Sequence, residues 1–223
     1  MKFDSVSRTI AATIAVAASL SLTACSAAEI SEVRDPNAVR VAFYGDSYTL
    51  GTGASAMANR WSTVISEQRE WSEFNPSVNG LGFINNRSTF GDGDLPSAVI
   101  ADDPDIVFVT MGLNDNFSFD ARAKDIRSQI TDDFDRLTAA LPDARFIVVE
   151  PFWYTDERPE SVETIITWVK DAAEVIGADY IPDASHWIEG HPEWMASDGL
   201  HPNNDGYAEM AEQMDRALRT LGL

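Results

Sequence analysis

Short apolar runs typical of strands alternate with helical stripes along this chain. The strand-like runs, including two weaker ones, lie at residues 39–44, 77–78, 106–111, 146–149 and 180–181. Other apolar residues recur every three or four positions, which is typical of one buried helix face; these stripes lie over residues 126–141, 162–176 and 207–221. Near-continuous apolar runs suit strands buried on both faces. The alternation predicts an α/β fold with a parallel sheet covered by helices on both sides.

The N-terminal residues 1–24 have the composition of a targeting segment. A basic start with Lys2 and Arg8 precedes an apolar stretch over residues 9–22. That stretch is shorter than the roughly 20 residues of a membrane span, and it fits a secretory signal. Small residues precede Cys25, the only cysteine, as in bacterial lipoprotein signals that are cleaved before a lipidated cysteine. An ordinary signal peptide with an incidental cysteine is the alternative.

The rest of the chain has the length of one domain with an ample core. We expect residues 25–37 to form the lipidated cysteine and a polar tether, and residues 38–223 to form the domain. The expected location is outside the cytoplasm, on the cell membrane through the lipid anchor, with secretion as the alternative. We expect a monomer.

The net charge of the chain limits the kinds of molecule that it can bind. The net charge is −20, which argues against nucleic acid, because phosphate binding requires a basic surface. The spacing of His186, His191 and His201 matches no zinc site, and the Asp-rich stretch 102–105 lacks the calcium-loop pattern. The sequence therefore implies no metal and no cofactor.

Polar residues that can carry chemistry follow the predicted strands. Ser47 follows the first strand, Asn114 follows the run 106–111, and Asp198 and His201 precede the last helix. In open α/β sheets, sites form beyond the carboxyl ends of the strands. We therefore expect these residues to meet at one edge of the sheet.

These residue types are those of a serine nucleophile with its activating pair. His201 can accept the Ser47 proton while Asp198 holds the imidazole in the required tautomer. The alternatives are a helix cap for Ser47 and a hydrogen-bonded turn for Asp198 and His201.

A tetrahedral intermediate also needs hydrogen-bond donors for its oxyanion. The candidates are the backbone N–H groups of Ser47 and Gly80 and the side-chain amide of Asn114. Gly82 competes with Gly80 for this role, and Asn114 could instead be a turn residue.

The same residues resemble the four sequence blocks of the SGNH (GDSL-type) hydrolases. The blocks are Gly45-Asp46-Ser47, the glycine at 80, Gly112-x-Asn114-Asp115 and Asp198-x-x-His201-Pro202. The resemblance implies a flavodoxin-like three-layer α/β/α fold and ester hydrolysis by serine, glycine, asparagine and histidine. Tyr48 stands where the family motif has leucine, a departure that we expect to matter little.

The sequence thus predicts a serine esterase that acts on short acyl or acetyl esters, with small-molecule and glycan esters as candidate substrates. The alternatives are an extracytoplasmic O-acyltransferase on glycans and a non-enzymatic binding lipoprotein on the same fold. Trp153, Trp187 and Trp194 could line an acyl or sugar pocket, although packing is their commoner role.

Overall fold

A computed structural model describes residues 37–90 and 93–223. The predicted signal segment, the lipidation site Cys25 and nearly all of the tether lie outside these residues and stay predictions. Within the described ranges, no helix is both long enough and apolar enough to cross a membrane.

The centre of the domain is a five-stranded sheet in which all neighbouring strands are parallel. The strands are β1 Arg40–Tyr44, β2 Ser72–Phe74, β3 Ile106–Val109, β4 Arg145–Val149 and β5 Asp179–Ile181. Their spatial order is β2-β1-β3-β4-β5, and the register places Val41 beside Ile106 and Ile106 beside Arg145. This order is that of the flavodoxin-like doubly wound fold, which confirms the predicted fold class.

In the described part of the chain, six α-helices surround the sheet. They are α1 Ser47–Leu50, α2 Trp61–Gln68, α3 Leu95–Asp102, α4 Phe119–Ala140, α5 Glu160–Ile176 and α6 Asn204–Thr220. Buried residues of α2 and α6 pack on one face of the sheet, and those of α3 and α4 pack on the other. The result is a three-layer α/β/α sandwich.

Alternating side chains of the strands supply both cores. In β1, Phe43 belongs to the α2/α6 core and Ala42 to the α3/α4 core. Phe43 stacks on Phe108 with ring centroids 5.1 Å apart, and Trp61 meets Phe43 edge-on at 5.4 Å. Each fully buried side chain of this size contributes about 1.5–3 kcal/mol through removal of apolar surface from water.

The position predicted for the second strand is wrong. It lies at Ser72–Phe74 and not near residues 77–78. Pro76 has no N–H to pair in a sheet, and the Ser77 N–H donates to Asn75 Oδ1 at 3.2 Å in a local turn. The edge position of β2 explains its polar sequence, because only Phe74 among its three residues packs against the core.

Candidate active site

Ser47 is the first residue of α1, directly after the turn that leaves β1. The helix cap is Asp46, whose side chain accepts from the Tyr48 N–H at 3.0 Å. The alternative role of Ser47 as a helix cap is therefore not needed, because Asp46 caps α1. The backbone of Ser47 is fixed, since its carbonyl accepts from the N–H groups of Gly51 and Thr52, each at 3.0 Å. Because α1 has only four residues, we expect the individual backbone N–H groups at its start, and not a helix dipole, to interact with a bound substrate.

Asp198 and His201 form a hydrogen-bonded pair in the loop before α6. Asp198 Oδ2 lies 2.7 Å from His201 Nδ1. The other carboxylate oxygen accepts from the N–H groups of Leu200 and His201 at 2.9 and 3.0 Å. These hydrogen bonds lower the pKa of Asp198 to about 2, and the bond with the His201 ring has the largest effect. The carboxylate is therefore charged at neutral pH. With Nδ1 engaged, Nε2 is the ring nitrogen left for proton transfer.

Tyr48 holds the His201 loop against the serine turn. Its hydroxyl donates to the Leu200 carbonyl at 2.6 Å, and its ring lies 6.1 Å from the His201 ring, centroid to centroid. This role was not predicted from the sequence, because the partner is a backbone atom more than 150 residues away. The sequence feature that could have indicated this role is the tyrosine at position 48, where the family motif has leucine.

No hydrogen bond joins the Ser47 hydroxyl to the His201 ring among the bonds of the described ranges. The structure thus brings the two segments together without the nucleophile–base contact itself. Such contacts are often long without substrate and tighten in the reacting complex.

Asn114 joins the serine turn to the loop that carries Gly80. It lies in a 3₁₀ turn, Leu113–Ser118, directly after β3. Its Nδ2 donates to Asp46 Oδ2 at 3.2 Å and to the Leu81 carbonyl at 2.9 Å. Both amide hydrogens are therefore directed at protein acceptors, and the longer bond to Asp46 is the weaker of the two.

The two candidate glycines differ in their backbone partners. The Gly82 N–H donates to the Asn85 carbonyl at 2.9 Å, so it is already engaged. None of the backbone bonds in the described part of the chain uses the Gly80 N–H. Gly80 also has φ +70°, a conformation that glycine adopts without the steric cost of a side chain.

Asp115 fixes the backbone that follows these glycines. Its carboxylate accepts from the N–H groups of Phe83, Ile84 and Asn85 at 2.7, 2.8 and 3.1 Å. A Cβ at Gly82 would lie 2.6 Å from this carboxylate, so glycine is needed there for the close approach of Asp115. This role of Asp115 was not predicted from the sequence, because its partners are backbone groups.

Two buried carboxyl groups lie close to the candidate oxyanion donors. Burial, helped by the charge of Asp115, raises the pKa of Asp46 to about 7 against the opposing hydrogen bonds from Tyr48 and Asn114. Burial also raises the pKa of Asp115 above its usual range. A neutral Asp46 is a weaker acceptor than an ionised one, so protonation of Asp46 would loosen its bond with Asn114.

The three tryptophans singled out in the sequence differ in their surroundings. Trp153 is buried, and its Nε1 donates to Thr155 Oγ1 and to the Glu157 carbonyl, both at 2.9 Å. Trp187 packs on Phe152, with ring centroids 5.8 Å apart. Trp194 stacks on the His191 ring at 3.6 Å.

The two other histidines are paired with glutamates. His186 Nδ1 contacts Glu189, and His191 Nδ1 lies 2.8 Å from Glu193 Oε1. Within residues 37–90 and 93–223, no group of three histidine, cysteine or acidic residues is arranged to hold a metal ion.

Comparison with known proteins agrees with the fold and identifies the family. The model of the GDSL-like Lipase/Acylhydrolase family matches residues 43–209. GDSL lipase Rv0518 of Mycobacterium tuberculosis is 25% identical over 188 residues, which cover 78% of this chain and 79% of that protein.

Solved structures of two esterases share the fold. The psychrotrophic esterase EstA from Pseudoalteromonas sp. has a TM-score of 0.63 at 16% identity, covering 82% of this chain and 97% of its own. A catalytic mutant of the acetylxylan esterase Axe2 from Geobacillus stearothermophilus has a TM-score of 0.62 at 16% identity, covering 82% and 95%. The family match spans most of the chain and includes the candidate catalytic and oxyanion residues, so this protein belongs to the GDSL-like lipase/acylhydrolase (SGNH) family, a family of carboxylic ester hydrolases.

Proposed function

We propose that this protein is a serine esterase in which Ser47 attacks the ester carbonyl, His201 accepts its proton and Asp198 orients His201. The observation that carries the proposal is the Asp198–His201 pair, held beside the serine turn by the bond from Tyr48 to Leu200. The ionised Asp198 fixes the tautomer with hydrogen on Nδ1, so that Nε2 can act as the base.

The reaction proceeds through an acyl-enzyme. The alkoxide of the leaving alcohol takes its proton from His201, and water activated by the same imidazole then releases the acid. The N–H groups of Ser47 and Gly80 and the Asn114 amide stabilise the oxyanion. For this, Asn114 exchanges its long hydrogen bond to Asp46 for one to the substrate oxygen, while the bond to Leu81 keeps the amide in place.

Short acyl or acetyl esters are the proposed substrates. One relative is named a lipase, and a protein of the same fold is an acetylxylan esterase, so family membership leaves the alcohol open. The large negative charge of the chain disfavours substrates whose alcohol portion carries negative charge. No cofactor takes part in the proposed reaction.

The experiment is covalent labelling by a fluorophosphonate, which reacts with activated serines, together with hydrolysis of p-nitrophenyl acetate. Wild type should label and hydrolyse, whereas Ser47→Ala and His201→Ala should lose both. Asp198→Asn should keep more activity than either, because loss of orientation costs less than loss of nucleophile or base.

Ser128→Ala is the matched control, because Ser128 is exposed on α4 and should label as wild type does. Labelling of the Ser47→Ala variant would refute the assignment of the nucleophile. A wild-type enzyme that transfers its acyl group to added oligosaccharides faster than to water would be an acyltransferase on the same site.

A further inference from the structure

A second feature of the molecule is a groove between the loop after β4 and the loop before α6. One wall includes Tyr154, Asp156 and Glu157, and the other includes His191 and Ser197. Its volume is about 1030 Å³, at the upper end of the range for sites that bind drug-sized ligands. Such a volume exceeds what an acetyl group fills.

The groove reaches the loop that carries the proposed acid–base pair. Ser197 and Gly199, the two neighbours of Asp198 in sequence, are among the residues that line it. A molecule in the groove would therefore lie along the same loop as His201.

The two walls are fastened to each other. Asp156 Oδ1 accepts from the Gly190 N–H at 2.8 Å. Arg158 extends from the first loop to Glu189, 3.2 Å away, and to the Ser185 carbonyl at 3.4 Å. Because these bonds set the separation of the walls, a ligand would not have to order them, which lowers the entropic cost of binding.

The charges of the groove exclude anionic ligands. Arg158 is neutralised by Glu189 and by Glu163, whose carboxylate lies 3.5 Å from its guanidinium. Asp156 and Glu157 add negative charge to the same wall. A phosphate or carboxylate would thus meet repulsion here without a free cation to offset it.

The surface of the groove combines aromatic faces with hydrogen-bonding groups. Tyr154 is partly exposed, and the partly exposed His191 ring is held in place by its stack on Trp194. Glu157 and Ser197, which bring a carboxylate and a hydroxyl, line opposite walls. Aromatic rings bind the apolar faces of a sugar ring, and such polar groups bind its hydroxyls. An acyl chain would leave the polar groups without partners, which is unfavourable.

We propose that this groove binds the carbohydrate portion of a neutral sugar ester while the acyl group lies at Ser47. The inference rests on the proposed esterase function and adds the class of alcohol. The bond between the acyl carbon and the sugar oxygen breaks, and that oxygen takes its proton from His201. Water completes the hydrolysis of the acyl-serine, so the products are the free sugar hydroxyl and the carboxylic acid.

The kinetic test compares three substrates: acetylated xylotetraose, p-nitrophenyl acetate and p-nitrophenyl decanoate. For Tyr154→Ala and His191→Ala, kcat/KM for the acetylated oligosaccharide should fall at least tenfold more than kcat/KM for p-nitrophenyl acetate. Trp168→Ala is the matched control, because it removes a partly buried aromatic ring that stacks on Phe119 between α4 and α5, outside the groove. This control should keep the wild-type ratio.

Two kinetic results would overturn the proposal. Equal losses on all three substrates would mean that Tyr154 and His191 only support the loops. A selective loss on p-nitrophenyl decanoate would mean that the groove holds an acyl chain.

A binding test separates the groove from the chemistry. Xylotetraose, cellotetraose and chitotetraose are titrated calorimetrically into the Ser47→Ala protein, with and without Tyr154→Ala. At least one should bind, and Tyr154→Ala should weaken its affinity at least tenfold. If none of the three oligosaccharides binds to the Ser47→Ala protein while the wild type cleaves p-nitrophenyl acetate, the proposed carbohydrate groove is wrong and the proposed esterase function is retained. If wild type cleaves no ester, the proposed function is wrong, and oligosaccharide binding alone still decides the groove.

Discussion

At the scale of single residues, the side chains with chemical roles were easier to predict than those that position them. Ser47, Asn114, Asp198 and His201 were singled out because proposed acyl-transfer chemistry prescribes their residue types. The structure places their segments together, and their roles stay predictions. The positioning residues are Asp46, Tyr48 and Asp115, which bond mainly to backbone groups. Since every residue has a backbone, the residue types of their partners give no sign of these bonds in the sequence.

The Asn114 amide can be tested by its removal. We expect Asn114→Ala to lower kcat by about 10²–10³-fold with little change in KM, because an oxyanion donor acts mainly in the transition state. Asn116→Ala, in the same 3₁₀ turn, is the control and should retain most of kcat. A raised KM with an unchanged kcat for Asn114→Ala would instead identify a substrate-binding or turn residue.

Asp46 gives the folded protein a dependence on pH. Its folded pKa of about 7 lies above the usual 3.8, so its contribution to stability is full below pH 3.8 and is lost as pH rises through 7. Asp46→Asn removes this loss. The free energy of unfolding of the variant, relative to wild type, should therefore increase by about 3 kcal/mol from pH 5 to pH 8.

Urea denaturation at the two pH values measures this difference. A constant difference between variant and wild type would show that Asp46 has the same pKa in the folded and unfolded chains.

At the scale of elements, sequence patterns predicted the long helices and four of the five strands, whereas β2 and the short helices escaped them. The stripes over α4, α5 and α6 extend over many turns, and each of these helices buries a continuous face. The strand β2 has three residues and lies at the sheet edge, so no apolar run marks it. The short helices α2 and α3 gave too few turns for a period to be recognised.

The contact between α1 and the loop before α6 can be tested with Tyr48→Phe. The variant loses the hydrogen bond to Leu200, worth about 1 kcal/mol of stability. Because the loop also carries His201, we expect kcat to fall about tenfold. Enzyme assays and thermal unfolding measure the two effects.

Tyr44→Phe is the matched control for this contact. Its hydroxyl donates to Asp133 at 2.5 Å in the other core of the molecule. This variant should lose at least as much stability as Tyr48→Phe and keep a nearly normal kcat. Equal losses of kcat in both variants would mean that Tyr48 contributes only to folding.

At the scale of the whole molecule, location is the property that the folded domain does not determine. We propose a lipid anchor at Cys25, the only cysteine, which ends a signal-like segment. An acylated diacylglyceryl cysteine would supply the two hydrophobic anchors that stable membrane attachment requires. The candidate site residues all follow Gly45, so the domain should act without the anchor.

Membrane fractionation with metabolic lipid labelling tests the anchor. Wild type should be labelled and membrane-bound, whereas Cys25→Ser should be unlabelled and mislocalised. A protein starting at Ser26 should keep the wild-type esterase rate in solution. Soluble, unlabelled wild type would leave an ordinary secreted esterase.

The long separation of Ser47 and His201 along the chain has a consequence for biosynthesis. The proposed nucleophile is made early, but its base is held in place only after the last loop has docked on Tyr48 and α6 has packed on α2. A nascent or unfolded chain therefore carries the serine without the means to activate it. Esterase activity should appear abruptly with completed folding, which makes it a sensitive reporter of the intact molecule.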